Sequence, residues 1–197
     1  MEYSAAGVKF LLWFVETRET IRLLQNHEMD EVKKIVVDQN IYQQKAQSRI
    51  ISEFGYIKKR VLAIPKDLSN YMIRTDVNTA KLIALISAMA TDRLLFELVY
   101  EVYRNKLRMG EGDFSDADLN IFFTDKIKQS DVIAAWTEAT IKKLKQTYSK
   151  FLMEAGLLQK TNQSEKKVVK PYIEQELREI LIRNNMDKYL YALTGER

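Results

Sequence analysis

Glycine and proline set the first limit on this chain. Six glycines and two prolines among 197 residues leave few positions for tight turns, bulges and strand edges. That argues against a β-sandwich or barrel and for helices joined by short polar links. Hydrophobic residues make up 46% and charged residues 29%, enough for a substantial core without staples and too apolar for bulk disorder. The absence of cysteine removes disulfides, thiolate metal sites and cysteine nucleophiles together; it fits a reducing cytoplasm. A single histidine, His27, removes multi-histidine metal centres. An enzyme is therefore not the expectation, and neither is a bound cofactor.

No stretch reads as a membrane span. The longest uncharged run, Leu82–Thr91, is half of the about 20 residues needed. Phe10–Val15 is apolar but short, lies between Glu2 and Glu16, and lacks a cleavage pattern.

The periodicity predicts helices over 5–26, 30–39, 44–64 (ending before Pro65), 66–73, 77–90 and 92–108. Gly110-Glu-Gly112-Asp113 is the clearest break. It divides an N-terminal helical unit, residues 1–110, from a C-terminal one, 111–197, the two sharing one core. Ser115-Asp-Ala-Asp118 has the form of a helix start. A helix to about residue 128 follows, then one from Ser130 to Ala155 with a kink near Thr137. Gly156 suits a left-handed cap. Leu157–Lys160 and Lys167–Lys170, separated by polar Thr161–Lys166, read as a β-hairpin. Two short helices, near 172–183 and 187–193, complete an all-α, mainly helical bundle with a short C-terminal β-hairpin. Helix, hairpin and helix resemble a winged-helix unit.

The net charge of +4 hides its distribution. Residues 42–74 carry +5 and residues 139–170 carry +6, while residues 75–138 between them carry −4. Clustering of this kind creates a local positive field on a nearly neutral protein. In the 138–155 helix, Lys142, Lys143, Lys145, Gln146, Ser149 and Lys150 span an arc of about 160°. Ile141, Leu144, Tyr148, Phe151, Leu152 and Ala155 occupy the other side. Lys160, Lys166, Lys167 and Lys170 extend the charge into the hairpin. A basic helix beside a basic wing is a recurrent way to hold double-stranded DNA, the helix at a groove and the wing along phosphates. An all-lysine patch favours phosphate contact over base reading. The alternative is a solvated lysine-rich face.

A second basic face lies on the 44–64 helix, where Lys45, Arg49, Tyr56, Lys59 and Arg60 stand opposite Ile50, Phe54, Ile57, Val61 and Ile64. With the preceding helix it could form a helix-turn-helix, placing Gln43, Gln44, Lys45, Gln47, Ser48 and Arg49 at the start of a recognition helix. An ordinary helical hairpin is the competing reading.

Other candidates do not hold. Gly110-x-Gly112 lacks a third glycine and a preceding strand. Asp113, Asp116 and Asp118 lack calcium-loop spacing and read as turn and cap residues. His27 reads as a helix-end residue. Trp13 and Trp136 stand among apolar residues at helical spacing and read as core.

The order of local patterns adds a resemblance. Tyr3-Ser4-Ala5, Glu16-Thr-Arg-Glu-Thr20, Val36-Val-Asp-Gln-Asn40, Asp92-Arg-Leu-Leu95, Trp136-x-x-x-Thr140, Leu152-Met-Glu-Ala-Gly-Leu157 and Tyr189-x-Tyr-Ala-Leu-x-Gly195-x-Arg197 together resemble the BrxA family of bacteriophage exclusion (BREX) defence systems. The resemblance spans nearly the whole chain. It implies a helical fold similar to the antitermination protein NusB. It also implies DNA binding rather than catalysis, beside a methyltransferase, an ATPase and other BREX components. It carries no catalytic motif, and the DNA-contact residues above rest on the charge pattern alone. A protein-interaction adaptor within the same system, or RNA binding by analogy with NusB, are the alternatives.

Overall fold

The uncharged run centred on Leu82–Met89 becomes the axis of the molecule in the computed structural model, which describes residues 2–161 and 165–196. Asn162, Gln163 and Ser164 of the expected hairpin loop, and Arg197 of the C-terminal motif, lie outside the described residues. Helix α5 (Val77–Met89) starts where Asp76 accepts the Asn78 amide at 2.7 Å. Its residues from Leu82 to Met89 are all buried. A helix apolar on every side can only sit inside others. Helices α1 (Phe14–Leu23), α3 (Gln47–Leu62), α4 (Lys66–Arg74), α6 (Arg93–Leu98) and α10 (Glu138–Glu154) pack around it. Helix α2 (Met29–Asp38) leans on α1 and α3.

The remaining elements wrap this centre. After α6 the chain makes a π-helical turn, Val99–Tyr103, and continues as α7 (Arg104–Met109). Strand β1 (Asp113–Ser115) leads into α8 (Asp116–Gln129), then the short α9 (Asp131–Ala134) and α10. Strands β2 (Leu158–Lys160) and β3 (Glu165–Val168) precede α11 (Gln175–Arg183) and α12 (Asp187–Thr194). Helix α11 rests on α4, and α12 rests on α7 and the π turn. Tyr103 ties the halves further, its hydroxyl donating to the Val169 carbonyl at 2.6 Å. The buried apolar side chains form one continuous core. The fold is mainly α, as its sequence indicates, with one small antiparallel sheet.

Scarce glycine is offset at the helix ends. Gly156 (φ 78°) closes α10 with a Schellman motif, its amide on Met153 at 3.1 Å and that of Leu157 on Leu152 at 2.8 Å. Asn40 (φ 49°) and Asn185 (φ 55°) do the same for α2 and α11, asparagine being the residue other than glycine that best tolerates this conformation.

Three local expectations are corrected. The first helix is broken: Ala5–Lys9 forms a 3-10 turn, and α1 begins only after Trp13, which stands at φ 51°. The helix expected over 92–108 contains the π turn, in which the Arg104 amide reaches the Val99 carbonyl. The hairpin forms with its second strand at Glu165–Val168 rather than Lys167–Lys170, and as part of a three-stranded sheet ordered β1-β3-β2, with Phe114 opposite Lys166 and Lys160 opposite Lys166. Asp113–Ser115 has too little apolar pattern to read as a strand; pairing with β3 makes it one.

Candidate nucleic-acid interface

Helix α10 presents the basic ridge. Thr137 caps it, accepting the Thr140 amide at 3.2 Å. Leu144, Tyr148, Phe151 and Leu152 are buried as its apolar face. The Tyr148 hydroxyl donates to Asp92 at 2.8 Å. Burial raises the Asp92 carboxyl above its ordinary pKa and pushes the Tyr148 phenol well up. The N-terminal 3-10 turn crosses α10 at Gly7, where a Cβ would stand 3.3 Å from Leu144 Cδ2. The turn clasps one flank of α10 and β2 packs on it as well. Thr147 and Ser149 are buried as well, although Ser149 was expected on the polar face.

Lys142, Lys143 and Lys150 stand exposed on the outer side and make no salt bridge among the described residues. Lys145 differs. Its ammonium donates to Asn120 Oδ1 at 2.8 Å and lies 5.4 Å from the Phe123 ring. Its partial burial lowers its pKa. The hairpin lysines divide. Lys160, Lys167 and Lys170 are exposed, whereas Lys166 turns inward to 3.5 Å from Asp116 Oδ1. Strand alternation places Lys167 on the face of β3 opposite Lys166, so the four do not form one row.

Two recesses flank the ridge. A groove of about 910 Å³ runs between α8 and α10, with Lys142, Lys145, Lys150 and Lys166 on its walls. On the other side a cavity of about 450 Å³ lies between α10, α3 and the N-terminal segment. Lys143 and Lys150 meet Arg49 there. The two basic segments, far apart in sequence, thus share one side of the molecule, and Lys150 borders both recesses.

The second basic face is only partly as expected. Lys45, Arg49 and Lys59 are exposed, with the Lys59 ammonium 5.9 Å from the Tyr56 ring. Arg60 is not on that face. It is 3% exposed and donates to the carbonyls of Leu11 at 3.1 Å and Leu12 at 2.7 Å. Its guanidinium lies 5.3–5.8 Å from the rings of Trp13, Phe151 and Phe10. Burial pulls its pKa down to about 10. Arg60 stands at the edge of the apolar stripe, and the folding-back of the N-terminal segment covers it. Helix α3 starts at Gln47, so Gln43, Gln44 and Lys45 lie in the connection 39–46. That connection is about twice the three- or four-residue turn of a helix-turn-helix.

Sequence reasoning missed two residues of the cavity. Lys9, at the end of the 3-10 turn, adds a cation. Glu53, on the same flank of α3 as Arg60, adds a buried carboxyl. The i, i+7 spacing of Glu53 and Arg60 beside an apolar stripe is the available signal.

Fold and surface define a mainly α-helical protein carrying a lysine ridge between two recesses. Among the described residues it has no cluster of three or more side chains suited to a metal ion, and no helix long and apolar enough to cross a membrane. The chain belongs to the BrxA family: the model of that family matches residues 1–185. The chain is 36% identical over 190 residues to the BREX protein BrxA of Bacillus cereus (strain H3081.97), covering 94% of this chain and 92% of that one. A crystal structure of an uncharacterized protein from Magnetospirillum magneticum matches with a TM-score of 0.83 over the full length of both chains at 17% identity, which shows a shared fold.

Proposed function

We propose that this BrxA-family protein is a non-enzymatic DNA-binding component of a BREX phage-defence system that grips duplex phosphates with the α10 ridge and its flanks. The observation that carries this reading is the convergence of the two basic segments on one side, joined through Lys143, Lys150 and Arg49. Lysines without acidic partners are the groups that release counterions from a nucleic-acid backbone. Lys142, Lys143 and Lys150 form the centre, with Lys45, Arg49 and Lys59 on one flank; Lys160, Lys167 and Lys170 are the exposed lysines of the hairpin segment. Lys145 and Lys166 line the groove but are partly committed to Asn120 and Asp116. The methyltransferase and ATPase of the system are its partner proteins in this reading.

Fluorescence anisotropy with a labelled 30-base-pair duplex tests it. With about six phosphates engaged, affinity falls by about three decades between 50 and 200 mM salt. Changing Lys142, Lys143 and Lys150 together to Glu abolishes binding. A flat salt response, or an unaffected triple variant, refutes the reading. Partners recovered from a BREX strain that survive nuclease treatment, with no duplex binding by the isolated chain, establish the adaptor reading instead. Competition by RNA at equal affinity points to the RNA analogy.

A further inference from the structure

The cavity between α3, α10 and the N-terminal segment contains more than duplex binding requires. Its volume of about 450 Å³ falls within the range of small-ligand sites. One wall is aromatic. Phe10 and Tyr56 have ring centroids 4.1 Å apart, and Trp13 lies nearly parallel to Tyr56 at 14° and 6.2 Å. Phe10 and Tyr56 are half-buried and line the cavity. Four exposed cations border the space: Lys9, Arg49, Lys143 and Lys150.

The unexplained group is Glu53. It belongs to the cavity wall, is 4% exposed, and its Oε1 has no hydrogen-bond partner. Arg49 attracts the carboxylate, but Glu16 repels it, and burial disfavours its charge. A buried carboxyl oxygen without a donor is costly, and buried polar groups in folded proteins are nearly always satisfied. Carbon-only walls would serve packing better. Phosphate contact gives no use for a buried acid among cations.

We propose that this cavity is a binding site for a guanine nucleotide. The base lies against the Phe10–Tyr56 surface, where stacking tolerates a flat heterocycle. Glu53 accepts hydrogen bonds from the paired N–H donors on the guanine Watson–Crick edge, the edge by which proteins read an unstacked base. Lys9, Arg49, Lys143 and Lys150 take the phosphate. Adenine and cytosine offer an acceptor beside their amino group on that edge, so Glu53 in its ionised form selects against them. The nucleotide is either free in solution or one unpaired residue of a strand. The inference does not depend on duplex binding by the α10 ridge.

Isothermal titration of the full chain with GMP, guanosine and AMP separates these elements. GMP is expected to bind at least tenfold more tightly than AMP, and more tightly than guanosine, which lacks the phosphate. Glu53→Gln keeps the shape of the side chain and weakens GMP by about tenfold to a hundredfold, the usual loss for a hydrogen bond to a charged group. An unchanged circular dichroism spectrum confirms that the variant folds. A second arm compares a fully paired duplex with one carrying a single unpaired guanosine. If GMP alone does not bind but the unpaired guanosine improves duplex affinity, and Glu53→Gln erases only that gain, the nucleotide comes from a strand. If GMP binds while the paired duplex does not, the site stands and the duplex reading falls. If neither GMP nor the unpaired guanosine responds to Glu53→Gln, the proposal is overturned, whatever the paired duplex does.

Discussion

Replacing Arg60 with alanine separates a phosphate contact from a structural pin. In the structure Arg60 makes two charged hydrogen bonds, to Leu11 and Leu12, each about 1.5–3 kcal/mol. It also lies over three rings, each contact contributing about 0.5–2 kcal/mol. Against this stands the desolvation of a guanidinium, several kcal/mol. The bonds hold the chain just before Trp13, a bulky residue at φ 51°, a conformation that costs about 1–2 kcal/mol. Removing Arg60 also leaves Asp92 and Glu154 without a nearby buried cation. The net loss expected is about 3–5 kcal/mol, the usual result of deleting one member of a buried charged set. For a chain of this size that is about 6–20 °C in Tm. Urea titration and thermal melts measure it. Duplex affinity of the folded variant, taken well below its Tm, should keep the wild-type salt slope. A variant that stays within about 1 kcal/mol of wild type while its salt slope drops by about one would refute the argument and return Arg60 to the surface.

Four further outcomes are expected. Lys126 is 4% exposed and bridges Glu97 and Glu101 at 2.7 Å each, so Lys126→Ala should cost about 3–5 kcal/mol in urea unfolding. Lys150→Ala should reduce the salt slope of duplex binding by about one, while Lys145→Ala, whose ammonium is held by Asn120, should reduce it less. Burial, with Glu16 adding to it and Arg49 opposing it, raises the Glu53 carboxyl from 4.5 to about 7; the folded state therefore holds more protons over that window, and stability falls as pH rises through it. Glu53→Gln should match wild type near pH 5 and exceed it at pH 8, and an equal difference at both pH values would sink this. Gly156→Ala, at φ 78°, should destabilise by about 1 kcal/mol, read as a lowered urea midpoint.

What the sequence by itself determined are the local features whose causes are local. The uncharged stretch at Leu82–Met89 could only be a buried helix, and α5 is that helix. Gly156, Asp76 and the Ser115–Asp118 capping box end their helices where their side chains and backbone allow, whereas Thr137, expected as a kink, caps a separate helix. Two short apolar-containing segments on either side of a polar stretch after Gly156 announced the hairpin. The apolar and basic arcs of α10 were legible from 3.6-residue periodicity, and so was the exposure of Lys142, Lys143 and Lys150.

Tertiary structure decided what depends on distant neighbours. Asp113–Ser115 is a strand only because β3 lies beside it. Ser149 is buried although periodicity puts it on the polar arc of α10. Arg60 and Glu53 stand at the margin of a helical stripe, where periodicity assigns neither face. They are inside because the segment from Ala5 to Trp13 folds back across α3 and α10, held by carbonyls that Arg60 itself satisfies. The same fold-back brings Lys9 and the Phe10–Trp13–Tyr56 cluster to the basic helices. A helix's periodicity states which residues share a side. Only the packing of a remote segment decides whether that side meets water, the core or a cavity.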